Sequence, residues 1–182
     1  MNISAFMATS LDGFIARKDG SLDWLDHANA LVPKGEDCGY SEFIEDIDVI
    51  VMGSRTFGKV LSFPEWPYGK RRLIVLSSKS LEIPKHLKGT VSCSRETPEA
   101  LAKRLKAEGA KNIYVDGGLT FQSFLKAGLV HEFTVTIIPV LLGDGIRLFG
   151  GIPEDISLDL LSEKHYGFGF VQLRYAIQKP KQ

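Results

Sequence analysis

Apolar positions along this chain come in two rhythms. Short runs with β-branched residues, at 2–8, 14–16, 48–52, 73–76, 90–94, 113–115 and 131–139, predict strands. Between several of them the apolar residues recur at helical spacing. Residues 40–46 predict a short helix with Ser41 at its N-cap, and 56–61 predict the start of another. Ala100, Leu101 and Leu105 predict a third, opened by Thr97 as N-cap and Pro98 at the first helical position. Phe121, Phe124, Leu125 and Leu129 predict a fourth. Residues 17–39 read as a loop carrying Trp24 and then an irregular excursion containing Pro33, Gly35 and Gly39. Near the end, 158–164 and 168–178 read as an antiparallel pair, with Gly167 and Gly169 marking a bulge or turn between them. Strands alternating with helices and closing on strands alone predict an α/β fold. Its sheet is mainly parallel, with an antiparallel C-terminal edge.

One stretch organises this pattern. Residues 113–125 run strand, Gly117-Gly118, helix. Adjacent glycines let an anion approach the backbone, and the free N–H groups of the next helix favour its charge. A tight strand-to-helix turn would look the same. What adds to the functional reading is repetition, because small or polar residues recur at the ends of three strands: Gly53-Ser54-Arg55-Thr56, Ser77-Ser78-Lys79 and Asp116 to Thr120. Strand C-termini are where ligands bind in open α/β sheets. Two junctions open helices and give two phosphate seats, enough for a dinucleotide pyrophosphate. The third supplies hydroxyls and a cation. Together with Arg55 these suit an additional ribose phosphate, and no acid lies within 76–81, so NADPH is expected over NADH. No Gly-x-Gly-x-x-Gly follows the first strand, so the Rossmann order is excluded.

Composition narrows the classes. The chain has 182 residues, which suits one domain spanning 1–178 and a Pro/Lys tail at 179–182. Lys+Arg and Asp+Glu both number 22, which argues against a nucleic-acid binder built on a basic face. The two cysteines, Cys38 and Cys93, have no metal-type spacing, and no metal is expected. No apolar run approaches the roughly 18 residues of a membrane helix, and no signal peptide is visible. The expected setting is cytoplasmic, with neither membrane nor nucleic acid as partner. The apolar run at 133–139 near the sheet's end, with Leu141 and Leu142 beyond it, predicts burial against a second copy, a homodimer.

The ordered segments Ser10-Leu11-Asp12-Gly13-Phe14-Ile15-Ala16, Val51-Met52-Gly53-Ser54-Arg55-Thr56-Phe57, Leu76-Ser77-Ser78, Val115-Asp116-Gly117-Gly118 and Pro139-Val140-Leu141-Leu142-Gly143-Asp144-Gly145 carry a resemblance. The chain resembles the dihydrofolate-reductase-like superfamily, most closely the branch containing the reductase domain of riboflavin biosynthesis. That domain is often the C-terminal half of a bifunctional deaminase-reductase; this chain starts directly at the reductase strand. The resemblance implies a three-layer α/β/α fold and NADPH as hydride donor. It implies Ala8 and Ile15 at the nicotinamide, and Gly53, Ser54, Arg55 and Thr56 at the phosphates. Leu76, Ser77 and Ser78 would stand at the adenosine side, and Val115, Gly117, Gly118, Leu119 and Thr120 at the pyrophosphate. Ser54 stands where the family usually has arginine, with Arg55 following.

The substrate side is less legible. Asp37 lies at about the distance before Met52 where a folate reductase places its pterin-binding carboxylate, and Asp12 adjoins the nicotinamide seat; these are the candidate catalytic acids. Asp116 adjoins the pyrophosphate seat. Asp12 also reads as a turn-former. Arg71 is the candidate grip for an anionic substrate group, and Trp24 a candidate pocket wall. The expected activity is reduction of a small heterocyclic or ribosyl-pyrimidine substrate. The alternatives are a true dihydrofolate reductase and a non-catalytic NADP(H)-binding protein.

Overall fold

The computed structural model describes residues 1–178; the predicted tail at 179–182 lies outside the described residues. In chain order the strands are β1 (Asn2–Ser10), β2 (Phe14–Ala16), β3 (Val49–Gly53), β4 (Arg72–Leu76), β5 (Val91–Ser94), β6 (Asn112–Asp116), β7 (Glu132–Ile138), β8 (Ile146–Arg147), β9 (Leu158–His165) and β10 (Val171–Ile177). The helices are α1 (Asp23–Asn29), α2 (Tyr40–Glu45), α3 (Ser54–Val60), α4 (Pro98–Ala107) and α5 (Gly118–Lys126). Eight strands make one sheet in the order β5-β4-β3-β6-β1-β7-β10-β9. The pairs from β5 to β7 are parallel, and β10 runs antiparallel to both β7 and β9. The predicted class and the antiparallel edge are therefore observed.

Two cores make the third layer necessary. Val49 and Val51 project to one face of the sheet and Ile50 and Met52 to the other, all nearly inaccessible to solvent. A strand buried on both faces reads as a continuous apolar run. On one face Leu101, Leu105, Phe121 and Phe124 bring α4 and α5 onto the sheet. On the other, Ile44, Phe57 and Val60 bring α2 and α3. Thr97 caps α4 as expected, accepting a hydrogen bond from the Ala100 amide.

Three local expectations are corrected. Residues 23–29 are helical, because Leu22 and Leu25 face one way at helical spacing while Trp24 is buried against Ile138, Tyr166 and Phe170. Ser41 is not the cap of α2; the Asp37 carboxylate accepts from the amides of Gly39 and Ser41 instead. The apolar strand β7 is not near an open edge. It lies between β1 and β10, with Phe133 and Ile138 each 2% exposed. The two-residue β8 pairs with β2 in a separate small sheet, too short to show any periodicity.

Candidate functional site

Register places the site. Met52 stands beside Asp116 and Gly53 beside Leu76, so β3, β4 and β6 end at one level, and β3 and β6 feed helices there. Each of these two helices begins with the same pattern, Gly-x-x-Thr: Gly53 to Thr56 and Gly117 to Thr120. The two patterns interlock across the parallel strands. A Cβ on Gly53 would lie 3.0 Å from the Thr120 Oγ1, and one on Gly117 only 2.1 Å from the Thr56 Oγ1. Gly117 also holds φ +85, which side-chain-bearing residues rarely adopt. Each glycine thus admits the threonine of the other junction. A Cβ on Gly118 would meet the Ile15 Cδ1 at 2.2 Å, so the β2 segment closes onto the start of α5 in the same way.

These junctions line a cleft of about 860 Å³, within the ~300–1,000 Å³ range of ligand pockets. Of the residues expected at a cofactor, the cleft gathers Ala8, Ile15, Gly53, Ser54, Arg55, Thr56, Leu76, Gly117, Gly118, Leu119 and Thr120. Apolar walls come from Met7, Leu22 and Leu25, and cations from Arg55 and Lys59, one helical turn apart on α3. Neither cation pairs with a carboxylate among the described residues. Glycine cradles, helix N-termini and free cations around one cleft fit an anionic dinucleotide. The residues that would hold its phosphates are those of the two junctions.

Other expected residues are employed elsewhere. Val115, within β6, is wholly buried in the first core and does not line the cleft. The Ser77 hydroxyl is turned onto Lys79, donating to its carbonyl at 2.9 Å and accepting from its amide at 3.1 Å, while Ser78 lies exposed outside the lining. Trp24 is 3% exposed, within the third core cluster. The Arg71 Nε donates to the Ile44 carbonyl at 3.0 Å, tying the start of β4 to α2. Asp37 is occupied as the cap of α2. Asp12 accepts from the Ser10 hydroxyl at 2.6 Å and from the amides of Leu142 and Gly143. Those hydrogen bonds hold its carboxyl down at about 2. It fastens the β1–β2 turn to the 141–145 loop, the turn-forming role that its Leu-Asp-Gly context suggested.

Two carboxyls line the cleft, Asp19 and Asp116, and Asp116 is the one at the end of a central strand, between the two junctions. The Tyr68 hydroxyl donates to its Oδ2 at 2.5 Å. Burial pushes the Asp116 carboxyl above the usual carboxylate range, opposed by Tyr68, Tyr114 and the Gly117 amide. The Tyr68, Tyr114 and Tyr40 hydroxyls are pushed up in turn, by burial first and by Asp116 second. A half-buried carboxyl matched by a neutral hydroxyl can exist in either charge state, which suits proton handling. Sequence reading placed Asp116 beside the cofactor but assigned it no chemistry. Lys59 was also missed, although its i,i+4 spacing from Arg55 was a usable signal.

The RibD C-terminal domain model matches residues 2–171. YwjB of Bacillus subtilis (strain 168), an uncharacterized protein, is 37% identical over 174 residues, covering 93% of this chain and 94% of YwjB. The solved structure of a provisionally assigned riboflavin biosynthesis protein from Shewanella sp. PV-4 is 36% identical with a TM-score of 0.91. That match covers 98% of this chain and all of that one. A deaminase/5-amino-6-(5-phosphoribosylamino)uracil reductase from Thermotoga maritima shares the fold at 12% identity and a TM-score of 0.70, with 97% of this chain on 56% of that chain.

Proposed function

The chain belongs to the RibD C-terminal domain family, and from that membership we propose that it is an NADPH-dependent reductase of a small heterocycle of the aminopyrimidine type. The family's members are reductases and generally NADPH-dependent. The observation that carries the proposal is the interlocked pair of Gly-x-x-Thr junctions opening on one cleft with an ionisable carboxyl at its floor. Reduced nicotinamide, when bound, supplies the hydride. The protein's own residues do the rest. The amides of the two junctions take the pyrophosphate, and Arg55 and Lys59 favour an added ribose phosphate. Ala8 and Ile15 shape the apolar seat beside Gly118, while Met7, Leu22 and Leu25 keep water from it. Asp116 holds the proton that the reduced acceptor requires.

Cofactor consumption with the aminopyrimidine ribotide is expected to exceed that with dihydrofolate. The Asp37 carboxylate is turned onto the amides of Gly39 and Ser41 and is not free to grip a pterin. Cofactor affinity without turnover of any acceptor in a reductase panel would turn the reading to a binding protein. We further propose a homodimer formed at the β9 edge of the sheet. Among the described residues no helix is long and apolar enough to cross a membrane.

A further inference from the structure

Asp116 has an unusual keeper. Residues 61–70 form an excursion between α3 and β4, and within it Tyr68 alone is buried. Its ring is 4% exposed, edge-on to Trp66 at 5.3 Å and 84°, and Trp66 in turn meets Phe57 of α3 edge-on at 6.2 Å and 81°. Gly69, at φ +55, and the Arg71 amide, donating to the Tyr68 carbonyl at 3.1 Å, reverse the chain directly afterwards. The excursion delivers one hydroxyl to one carboxylate oxygen. Among the described residues no cation pairs with Asp116. A lysine or arginine there would lock the carboxyl in its ionised form; hydroxyls do not.

We propose that Tyr68 is the positioning residue of the cleft, aiming the Asp116 carboxyl and setting the acidity at which it exchanges its proton. This rests on the reading of Asp116 as the proton-holding group of the reductase. One hydroxyl donates to the carboxyl, that of Tyr68 from the excursion; Tyr114 on the same strand and Tyr40 on α2 are coupled to it electrostatically. The charged groups of the cleft lining are Asp19, Arg55 and Lys59, and Arg71 faces Tyr40. The Tyr114 hydroxyl donates its one proton to the Phe6 carbonyl at 3.1 Å, so its hold on Asp116 is weak. That of Tyr68 is not. Reduced nicotinamide, when bound, would supply the hydride and its electron pair to the acceptor carbon of a C=N or C=O group. The proton passes from Asp116 to the acceptor nitrogen or oxygen, leaving a carboxylate that Tyr68 holds until solvent reprotonates it.

The test is the titration of Asp116 in the ligand-free protein, followed by carboxyl 13C resonance and assigned by its loss in Asp116→Asn. Losing a hydrogen bond to the charged form raises the midpoint, so Tyr68→Phe is expected to move it up by about one to two pH units. Tyr114→Phe is expected to move it less. Because Asp116 must be protonated to donate, the alkaline-side limb of the kcat profile should move up with the carboxyl midpoint. Thermal unfolding of each variant checks that the fold persists, and Tyr68→His offers a second substitution in case the phenylalanine variant does not fold. An unmoved midpoint in Tyr68→Phe, an equal shift in Tyr114→Phe, or a carboxyl of constant charge from pH 3 to 9 would each overturn the inference. Because the titration needs neither cofactor nor acceptor, it separates the two readings. A midpoint that moves in a protein that reduces nothing refutes the reductase alone, and an unmoved one in an active reductase refutes the role of Tyr68 alone.

Discussion

At the scale of single residues, sequence exposed chemistry that the backbone performs and hid chemistry that depends on distant side chains. Gly117 and Gly118 were legible because a strand, two glycines and a helix is a local pattern. Tyr68 was not, because 48 positions separate it from Asp116. Gly117→Ala is expected to cost about 2–4 kcal/mol in urea unfolding, combining an unfavourable φ with a 2.1 Å encounter. Thr56→Ala in the same chain should recover part of that loss; strict additivity of the two changes would refute the interlock. The ribose-phosphate seat was placed by sequence on Arg55, Ser77, Ser78 and Lys79, whereas the cleft has Arg55 with Lys59. Arg55→Ala with Lys59→Ala is therefore expected to weaken NADPH binding about tenfold or more and leave NADH nearly unchanged. Ser77→Ala with Ser78→Ala should alter neither dissociation constant. Asp12 gives a sign for acid. Its folded value of about 2 lies below the ordinary 3.8, so its contribution is complete above about pH 4 and is lost as pH falls towards about 2. Asp12→Asn should lower the urea midpoint at neutral pH and converge with the parent protein in that window.

Elements were legible where length and periodicity agreed. The helix α4 was found from its cap, its proline and its leucines, and Thr97→Ala is expected to cost about 1 kcal/mol. For a chain of this size that lowers the thermal midpoint by roughly 2–4 °C; calorimetry showing no change would mean the Thr97 hydroxyl contributes nothing to the helix start. By contrast α1 was read as loop. Its seven residues begin without a side-chain cap, and only Trp24 is buried, so its helical spacing was too brief to stand out. Tertiary packing makes it: Trp24 anchors one side in the third cluster while Leu25 faces the cleft. The short β8 exists for a similar reason, held by β2 and by Gln122, whose side-chain amide donates to the Arg147 carbonyl at 2.7 Å.

At the scale of the whole molecule, the alternation of strands and helices was enough to give the sheet's composition, but its edges depend on strand order, which local pattern does not reveal. The apolar strand thought to need a second copy, β7, is covered by its own chain: Phe121 and Phe149 pack their rings on Phe133. The uncovered edge is β9, where Leu158, Leu160 and Leu161 are 38%, 52% and 50% exposed. Leu158 and Leu160 stand beside Ile177 and Tyr175, whose side chains join the first core, so the core's apolar face runs past its helical cover to an open strand. Phe149, 41% exposed, packs on Phe133, whose ring in turn meets Tyr175 of β10. A self-associating edge of this kind is the place for a twofold pairing. Burying one leucine contributes about 1.5–3 kcal/mol, so Leu160→Lys is expected to weaken dimerisation at least tenfold. Light scattering at micromolar concentration should give twice the chain mass for the parent protein and the chain mass for the variant. Three strand spacings of ~4.8 Å separate β9 from β1 and its cleft, so NADPH affinity should be the same in both. A monomeric parent protein would refute the pairing, and a variant that stays dimeric would move the interface away from β9.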